Sequence, residues 1–280
     1  MGERSEHRAV AAAAGGDGAA AVAIAAGGDG ADAAVAVGGD AGGASGPVEP
    51  EPTVWDLSTA GAVPGEDLVG IGADLEPGTI LAAYRAGVFP MGLGEGGADP
   101  VGWWSPDPRG VLLPGDLHLS RSARRSRRSW AVTVDQAFED VVAGCADPSR
   151  DGGWITGQIA RAYGRLHDLG WAHSVEVWDE GRLVGGVYGL AIGRLFAGES
   201  MFHRAPDASK AALAGLVDVL AEDGEPWVLD TQWQTPHLAS LGVVTVHRPD
   251  YLRLVREASA RELPRRWRGT PPCGEDGRQA

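Results

Sequence analysis

The chain has 280 residues, 44% of them hydrophobic, and a formal charge of −14, so it carries enough apolar material for one or two packed domains. Its acidic balance argues against indiscriminate nucleic-acid binding, and its two cysteines, Cys145 and Cys273, argue against a disulfide framework or a zinc site. No run approaches the roughly eighteen apolar residues of a membrane span.

Residues 1–51 read as a disordered tail. Up to position 50 there is no aromatic residue, AAGGDGA occurs at 13–19 and again at 25–31, and seven acidic residues face only Arg4 and Arg8. Such a stretch buries too little apolar surface to offset chain entropy. Asp17 and Asp29 closely flank the apolar run 19–26, which argues against a secretion signal, and Glu6 stands where a myristoylation motif needs Ser or Thr. A soluble, cytoplasmic protein is expected. All ten Trp lie from Trp55 to Trp267, which places the folded part at about 52–268 and leaves 269–280 as a second disordered tail.

The first predicted helix follows Pro77, with Ile80, Leu81, Tyr84 and Val88 on one face and Gly87 as its stop. Pro90 ends any helix, a Gly-rich loop spans 92–97, and the prolines at 106 and 108 force an extended path that suits a hinge between a small domain and a larger one. Arg121, Arg124, Arg125, Arg127 and Arg128 then fall within eight residues with no acid among them, a pattern that fits a solvated helix face as well as a phosphate-binding one. Asp135 is positioned to cap a helix buried through Phe138, Val141, Val142 and Cys145. Thr156 is positioned to cap another, with Ile159, Tyr163, Leu166 and Leu169 inward and Gly170 at its end.

The period then changes to two. Residues 174–178 alternate as a strand, 179–181 form a turn, and 182–190 and 194–200 supply two more strands. A helix follows from Ala208, buried through Leu213, Leu216, Val217 and Leu220. After it come a strand at 227–230, a short helix opened by Thr235-Pro236 and closed at Gly242, a strand at 243–247 and a helix at about 249–258. Helices, a three-strand antiparallel meander, then helix–strand–helix–strand make a mixed α/β (α+β) order. It resembles the acyltransferase fold of the GNAT superfamily, in which a V-shaped gap between central strands brings acyl donor and amine together. A small N-terminal domain at 52–107 and a GNAT-like catalytic domain at 108–268 are expected.

A series of segments carries a more specific resemblance. In order they are AYRAGVFP at 83–90, WWSPDPR at 103–109, HLSRS at 118–122, WIT at 154–156, Ala162-Tyr163 to Leu166-His167, and HSVEVW at 173–178. LVGGVYG at 183–189, GESMF at 198–202, DTQ at 230–232 and His237 to Gly242 complete the series. Their order and spacing resemble the leucyl/phenylalanyl-tRNA–protein transferase family. The resemblance implies an enzyme that takes Leu or Phe, with Met a further donor, from the 3′ end of Leu-tRNA or Phe-tRNA. The acceptor it implies is the α-amine of a protein beginning with Arg or Lys, which is thereby marked for N-end rule degradation. It implies no metal, ATP or coenzyme A, since the ester is already activated, and a monomer is expected.

The same resemblance assigns roles. Asp230 and Gln232 alternate at a strand end, which puts both side chains on one face. Asp230 would orient the Gln232 amide, whose oxygen accepts a hydrogen bond from the attacking amine, while Asp230 taken alone reads first as the cap of the next turn. Gln is a poor base, so the pair is expected to polarise and position. Glu199 would bind the acceptor's α-ammonium or its Arg or Lys side chain, or else form a structural ion pair with Arg204 or Lys210. Trp154 and Tyr163 match the family's aromatic positions near the 3′-adenosine, where a stacked base gains about 1–3 kcal/mol; otherwise they are a loop anchor and a helix core residue. Met91 stands where the family commonly has an aromatic residue, and thioether stacks less well on a base. The Arg run becomes a candidate contact for acceptor-stem phosphates.

Three other readings fit less well. A GNAT-type N-acetyltransferase using acetyl-CoA needs Gly where Asp207 stands in its pyrophosphate loop, 204–209. A peptidoglycan-bridge aminoacyltransferase would need two copies of the fold. A non-catalytic tRNA-binding module has little use for Asp230 and Glu199 together.

Overall fold

The computed structural model describes residues 46–150 and 152–268. The ordered chain starts earlier than expected, and residues 46–51 do not belong to a disordered tail. The Val48 N–H donates to the Leu169 carbonyl at 2.8 Å, the Trp171 indole N–H donates to the Val48 carbonyl at 2.8 Å, and Glu49 takes both terminal nitrogens of Arg85. These anchors belong to distant partners, so the segment's own composition carries no sign of them. The remaining tail expectations, 1–45 and 269–280 with Cys273, lie outside the described residues.

Leu68–Ile71 (β1), Phe89–Gly92 (β2) and Val101–Trp104 (β3) form a small antiparallel sheet ordered β1-β3-β2, with helix Pro77–Arg85 (α1) between the first two strands. The larger sheet contains Arg109–Leu112 (β4), Ala131–Val134 (β5), Ala172–Asp179 (β6), Arg182–Ile192 (β7), Leu195–His203 (β8), Val228–Gln232 (β9) and Val244–Val246 (β10). Its order is β10-β4-β9-β8-β7-β6-β5, and every neighbouring pair is antiparallel except β8 with β9. Helices Arg121–Arg127 (α2), Phe138–Cys145 (α3), Gly157–Asp168 (α4), Ala208–Ala221 (α5), Pro236–Ser240 (α6) and Arg248–Ser259 (α7) complete it. The expected mixed α/β order and the β6–β7–β8 meander are both present. None of these helices is long and apolar enough to cross a membrane.

Local chemistry sets the helix starts. The Thr156 and Thr235 hydroxyls accept from the Ile159 and Leu238 N–H groups at 3.3 and 3.2 Å, as their sequences predict. Asp135 behaves differently. Its φ is +56°, and its carboxylate takes the Ser174 N–H and His173 Nδ1, both at 2.8 Å, so α3 starts at Ala137 without a side-chain cap. A cross-strand claim on the carboxylate has displaced the local one.

Adjacent glycines on β7 show how closely helices press on both faces. A Cβ on Gly185 would lie 2.7 Å from the Ala208 methyl of α5, and one on Gly186 would lie 2.8 Å from Val141 of α3. Successive strand residues point to opposite faces, so α3 and α5 flank the meander from opposite sides. The α3 side carries an apolar cluster that also holds Ile80, Tyr84, Phe89 and Trp103 from the N-terminal segments and Tyr163 and Leu166 from α4. The α5 side is filled by Val175, Val187, Phe196, Leu213, Leu216 and Trp267.

The first cluster thus runs across the boundary expected at 107/108. The prolines between β3 and β4 lie in a segment that is tied down. The Arg248 guanidinium donates to the Ser105 carbonyl at 2.6 and 3.1 Å, and the Arg248 N–H donates to Asp107 Oδ1 at 3.1 Å. Arg248 also reaches the Val63 and Glu66 carbonyls, so α7 clamps both sheets at this link.

Candidate active site

The one parallel pair in the large sheet opens partway along. Its ladder joins Leu195 to Val228, Phe196 to Leu229 and Ala197 to Asp230, and there it ends. Each strand carries a bulge just beyond. On β8, Tyr188 faces Ser200 while Gly189 faces Gly198, so Glu199 is the extra residue. On β9, Gly110 faces Gln232 while Val111 faces Asp230, so Thr231 is the extra one. Bulges bend a strand and re-aim its side chains. Here they flank a gap with Glu199 on one wall and Gln232 on the other.

Asp230 forms the floor of this gap and is saturated. Arg109 Nε and Nη2 donate to its two oxygens at 2.8 and 2.7 Å, the Tyr251 hydroxyl donates at 2.7 Å, and the Gln232 N–H donates at 2.9 Å. A carboxylate offers about four lone-pair sites, so no site is left for a substrate. Arg109 and Asp230 are both fully buried, and the guanidinium lies 4.8 Å from the Phe89 ring centre and 4.5 Å from that of Tyr251. Burial opposes the Arg109 charge, but Asp230 more than offsets it, so the guanidinium pKa rises above its ordinary value.

This arrangement changes the role expected of Asp230. It holds Gln232 through the main chain, not through the side-chain amide. Gln232 is buried with φ +58°, a left-handed backbone that costs an ordinary residue about 1–2 kcal/mol. The Asp230–N–H bond is what stabilises it there. The Gln232 Nε2, a hydrogen-bond donor, is enclosed and has no partner among the described residues.

Glu199 pairs with neither Arg204 nor Lys210. Arg204 reaches the Leu183 carbonyl and Lys210 pairs with Asp207. Glu199 accepts from the Tyr84 hydroxyl at 2.5 Å, and that oxygen lies 2.5 Å from the Tyr163 hydroxyl. Burial pushes the carboxyl up to about 7. The two tyrosine hydroxyls pull it down by less, the Asp230 charge adds to the rise, and Arg109 opposes it.

Tyr163 does not fit the stacking role expected of it. Its ring is wholly enclosed and lies edge-on to Tyr188 at 5.7 Å, so neither face is open to a base; only its hydroxyl reaches the site, through Tyr84. Trp154 and Met91 are half-buried on the rim of the same cluster, together with Trp233. A Cβ on Gly97 would come within 2.1 Å of the Trp154 carbonyl, so the Gly-rich loop seats directly against Trp154.

The Arg run lies elsewhere. Helix α2 buries Ala123 and packs on α5, on the sheet face opposite the tyrosines. Arg121, Arg124, Arg125 and Arg128 are exposed, while Arg127 pairs with Asp218. Asp230, Gln232, Glu199 and Tyr163 thus converge at one gap, with Met91 and Trp154 at the edge of its core, and the arginines stand apart.

A model of the leucyl/phenylalanyl-tRNA protein transferase matches residues 111–256, and a model of that family's N-terminal domain matches residues 73–107. The chain belongs to the leucyl/phenylalanyl-tRNA–protein transferase family. It is 49% identical over 194 residues to the leucyl/phenylalanyl-tRNA–protein transferase of Shewanella baltica (strain OS185), covering 68% of this chain and 80% of that one. With the same enzyme of Klebsiella pneumoniae it shares 48% over 202 residues, covering 71% and 85%. Membership makes the chain an acyltransferase, and the matched span runs from the α1 region through most of α7. Among solved structures, a GCN5-related N-acetyltransferase from Kribbella flavida is similar over 49% of this chain and 53% of that one, at 14% identity and a TM-score of 0.29.

Arg109, Tyr251 and Tyr84 complete the site, and the sequence assigns them no function. A signal for Arg109 was available: an Asp in a buried strand needs a counter-charge, and Arg109 closes one of the family-like segments. Tyr84 likewise lies in a family-like segment, AYRAGVFP at 83–90, whereas nothing local marks Tyr251 apart from ordinary core aromatics.

Proposed function

We propose that the protein joins Leu or Phe, with Met as a further donor, from the 3′ end of a charged tRNA to the α-amine of a protein beginning with Arg or Lys. Acting as a cytoplasmic monomer, it would mark such proteins for N-end rule degradation. The observation that carries this reading is the opening of β8 from β9 beyond Ala197 and Asp230, with Glu199 on one wall and on the other Gln232, whose Nε2 has no partner among the described residues. A transferase needs such a gap for donor ester and acceptor amine to meet.

An α-ammonium has a pKa of about 7.7–8.0 and must lose a proton before it attacks. Glu199, near 7, is matched to take it. Asp230, with every lone pair used, does not serve as a base. The freed nitrogen attacks the ester carbonyl carbon; the C–N bond forms and the C–O bond to the terminal ribose breaks. The ribose oxygen leaves as a hydroxyl, taking up one proton as the nitrogen gives up its own, and the proton first shed by the ammonium passes from Glu199 to solvent. The side-chain oxygen of Gln232 would accept a hydrogen bond from the incoming nitrogen and align it, while the unpartnered Nε2 can only donate; alignment of two bound reactants is itself a large part of such a rate. Trp154 and Met91 would hold the 3′-adenosine, with Met91 the weaker platform. The exposed arginines of α2 would meet acceptor-stem phosphates on the far face of the sheet.

Incubating the protein with radiolabelled Leu-tRNA and an acceptor beginning with Arg, without ATP or CoA, should move label to the acceptor's N-terminus. Blocking that N-terminus by acetylation should prevent it. Incorporation from labelled acetyl-CoA, with none from Leu-tRNA, would overturn the reading.

A further inference from the structure

The proton-handling wall of the gap is held by residues that come from far along the chain. Tyr84 lies on α1, Tyr163 on α4 and Tyr188 on β7, and all three rings are buried. A hydroxyl has one hydrogen. If Tyr84 spends its own on Glu199, Tyr163, 2.5 Å away, has its hydrogen free for Tyr84 or for the carboxylate itself. Either way tyrosine O–H dipoles point toward the carboxylate and favour its negative charge.

We propose that Tyr84 is a positioning residue for transfer: its hydroxyl, with that of Tyr163 beside it, holds Glu199 at the bulge in the state that accepts the acceptor's proton. The inference rests on the transferase reading above and adds to it the group that sets when Glu199 is ready. Among the described residues, Tyr84 and Tyr163 are the hydrogen-bond donors on this carboxylate. The other charged or titratable groups facing it are Asp230 on β9, which disfavours its charge, and Arg109 on β4, which favours it. Tyr188 faces it from β7 with its hydroxyl enclosed and without a partner among the described residues, and beyond Tyr188 lie Cys145 on α3 and Arg150.

Removing the Tyr84 hydroxyl takes away a bond that lowers the Glu199 pKa, so that pKa must rise. A hydrogen bond to a charged group corresponds to roughly one pH unit or somewhat more. For Tyr84→Phe, the acid limb of kcat/KM for an Arg-led acceptor should therefore move up by about one pH unit. Activity at pH 6 should fall about tenfold, with much of it regained by pH 9, and the KM for Leu-tRNA should be unchanged. Tyr163→Phe, which leaves the Tyr84 bond to Glu199 in place, should move the limb the same way by less. A parallel titration of the Glu199 carboxyl by ¹³C NMR, assigned with Glu199→Gln, needs no turnover. It should show the same ordering, and it separates a failure of this proposal from a failure of the transferase reading. Should Tyr84→Phe fold poorly, Tyr163→Phe and the NMR titration still decide the matter. Unmoved profiles and an unmoved carboxyl titration in the folded variants would overturn the proposal.

Discussion

Replacing Arg109 with Met is expected to lower the melting temperature by roughly 10 °C and to remove activity with it. The reason is the partner left behind. Asp230 is fully buried, and Arg109 supplies two of its four hydrogen bonds and, among the described residues, its adjacent cation. Breaking a buried pair from one side costs about 3–5 kcal/mol, because the surviving charge has no water to turn to. For a folded unit of this size each kcal/mol lowers the midpoint by about 2–4 °C. Two companion variants separate charge from shape. Arg109→Lys keeps the charge but loses the fork that spans both carboxylate oxygens, so it should fall between Met and the parent. Arg109→Met combined with Asp230→Leu removes both charges and should regain most of the stability while staying inactive, since nothing would then hold Gln232. Thermal unfolding with a transfer assay checks all three. A stable and active Arg109→Met would mean that the ion pair does not organise the gap.

Glu199→Gln should give the largest loss of turnover without a comparable loss of stability. The Gln amide oxygen has the size and position to accept from Tyr84, so the network around it survives. What disappears is a group able to take a proton near pH 7, and general-base assistance of this kind is worth roughly 10²–10⁴-fold. The parent's rate should climb as pH rises through about 7, because the ionised carboxylate is the active form. The variant should lose that inflection and keep only the slope due to the amine itself. A pH–rate profile of each, at saturating charged tRNA, makes the comparison. An inflection that persists in Glu199→Gln would assign the proton to another group.

The parts of this architecture that were legible in the sequence are those with a period or a cap. The β6–β8 meander was marked by the alternation at 174–178 and the turn at 179–181, and α4 and α6 begin at threonines that cap them. Strands β1 to β5 left no such mark. Each is four residues long, and VGWW of β3 and RGVL of β4 are buried on both faces, so no alternation appears. Asp135 was misread for a related reason: the local pattern suited a cap, but the strand pairing claimed its carboxylate.

The site was legible in its members and not in their connections. Asp230, Gln232 and Glu199 stood out as strand-end polar residues within family-like segments. That Asp230 would be consumed by Arg109, 121 positions away, depends on the β4–β9 pairing, which no local signal reports. Tyr163 shows the opposite limit. Its ring type suggested a stacking platform, but its burial on the inner face of α4 leaves only the hydroxyl near the site.

Peptide-bond formation in the gap between β8 and β9 is tested most directly by single-turnover transfer from preloaded, labelled Leu-tRNA to an Arg-led acceptor, comparing the parent with Gln232→Asn. Asn tolerates the left-handed backbone that Gln232 adopts, so the fold is kept while the amide retreats by one methylene. A displacement of about 1 Å in an aligned site can cost roughly a hundredfold. The rate should drop by about that factor while the affinity for charged tRNA stays the same. A parent-like rate in a folded Gln232→Asn protein would place the chemistry somewhere other than this gap.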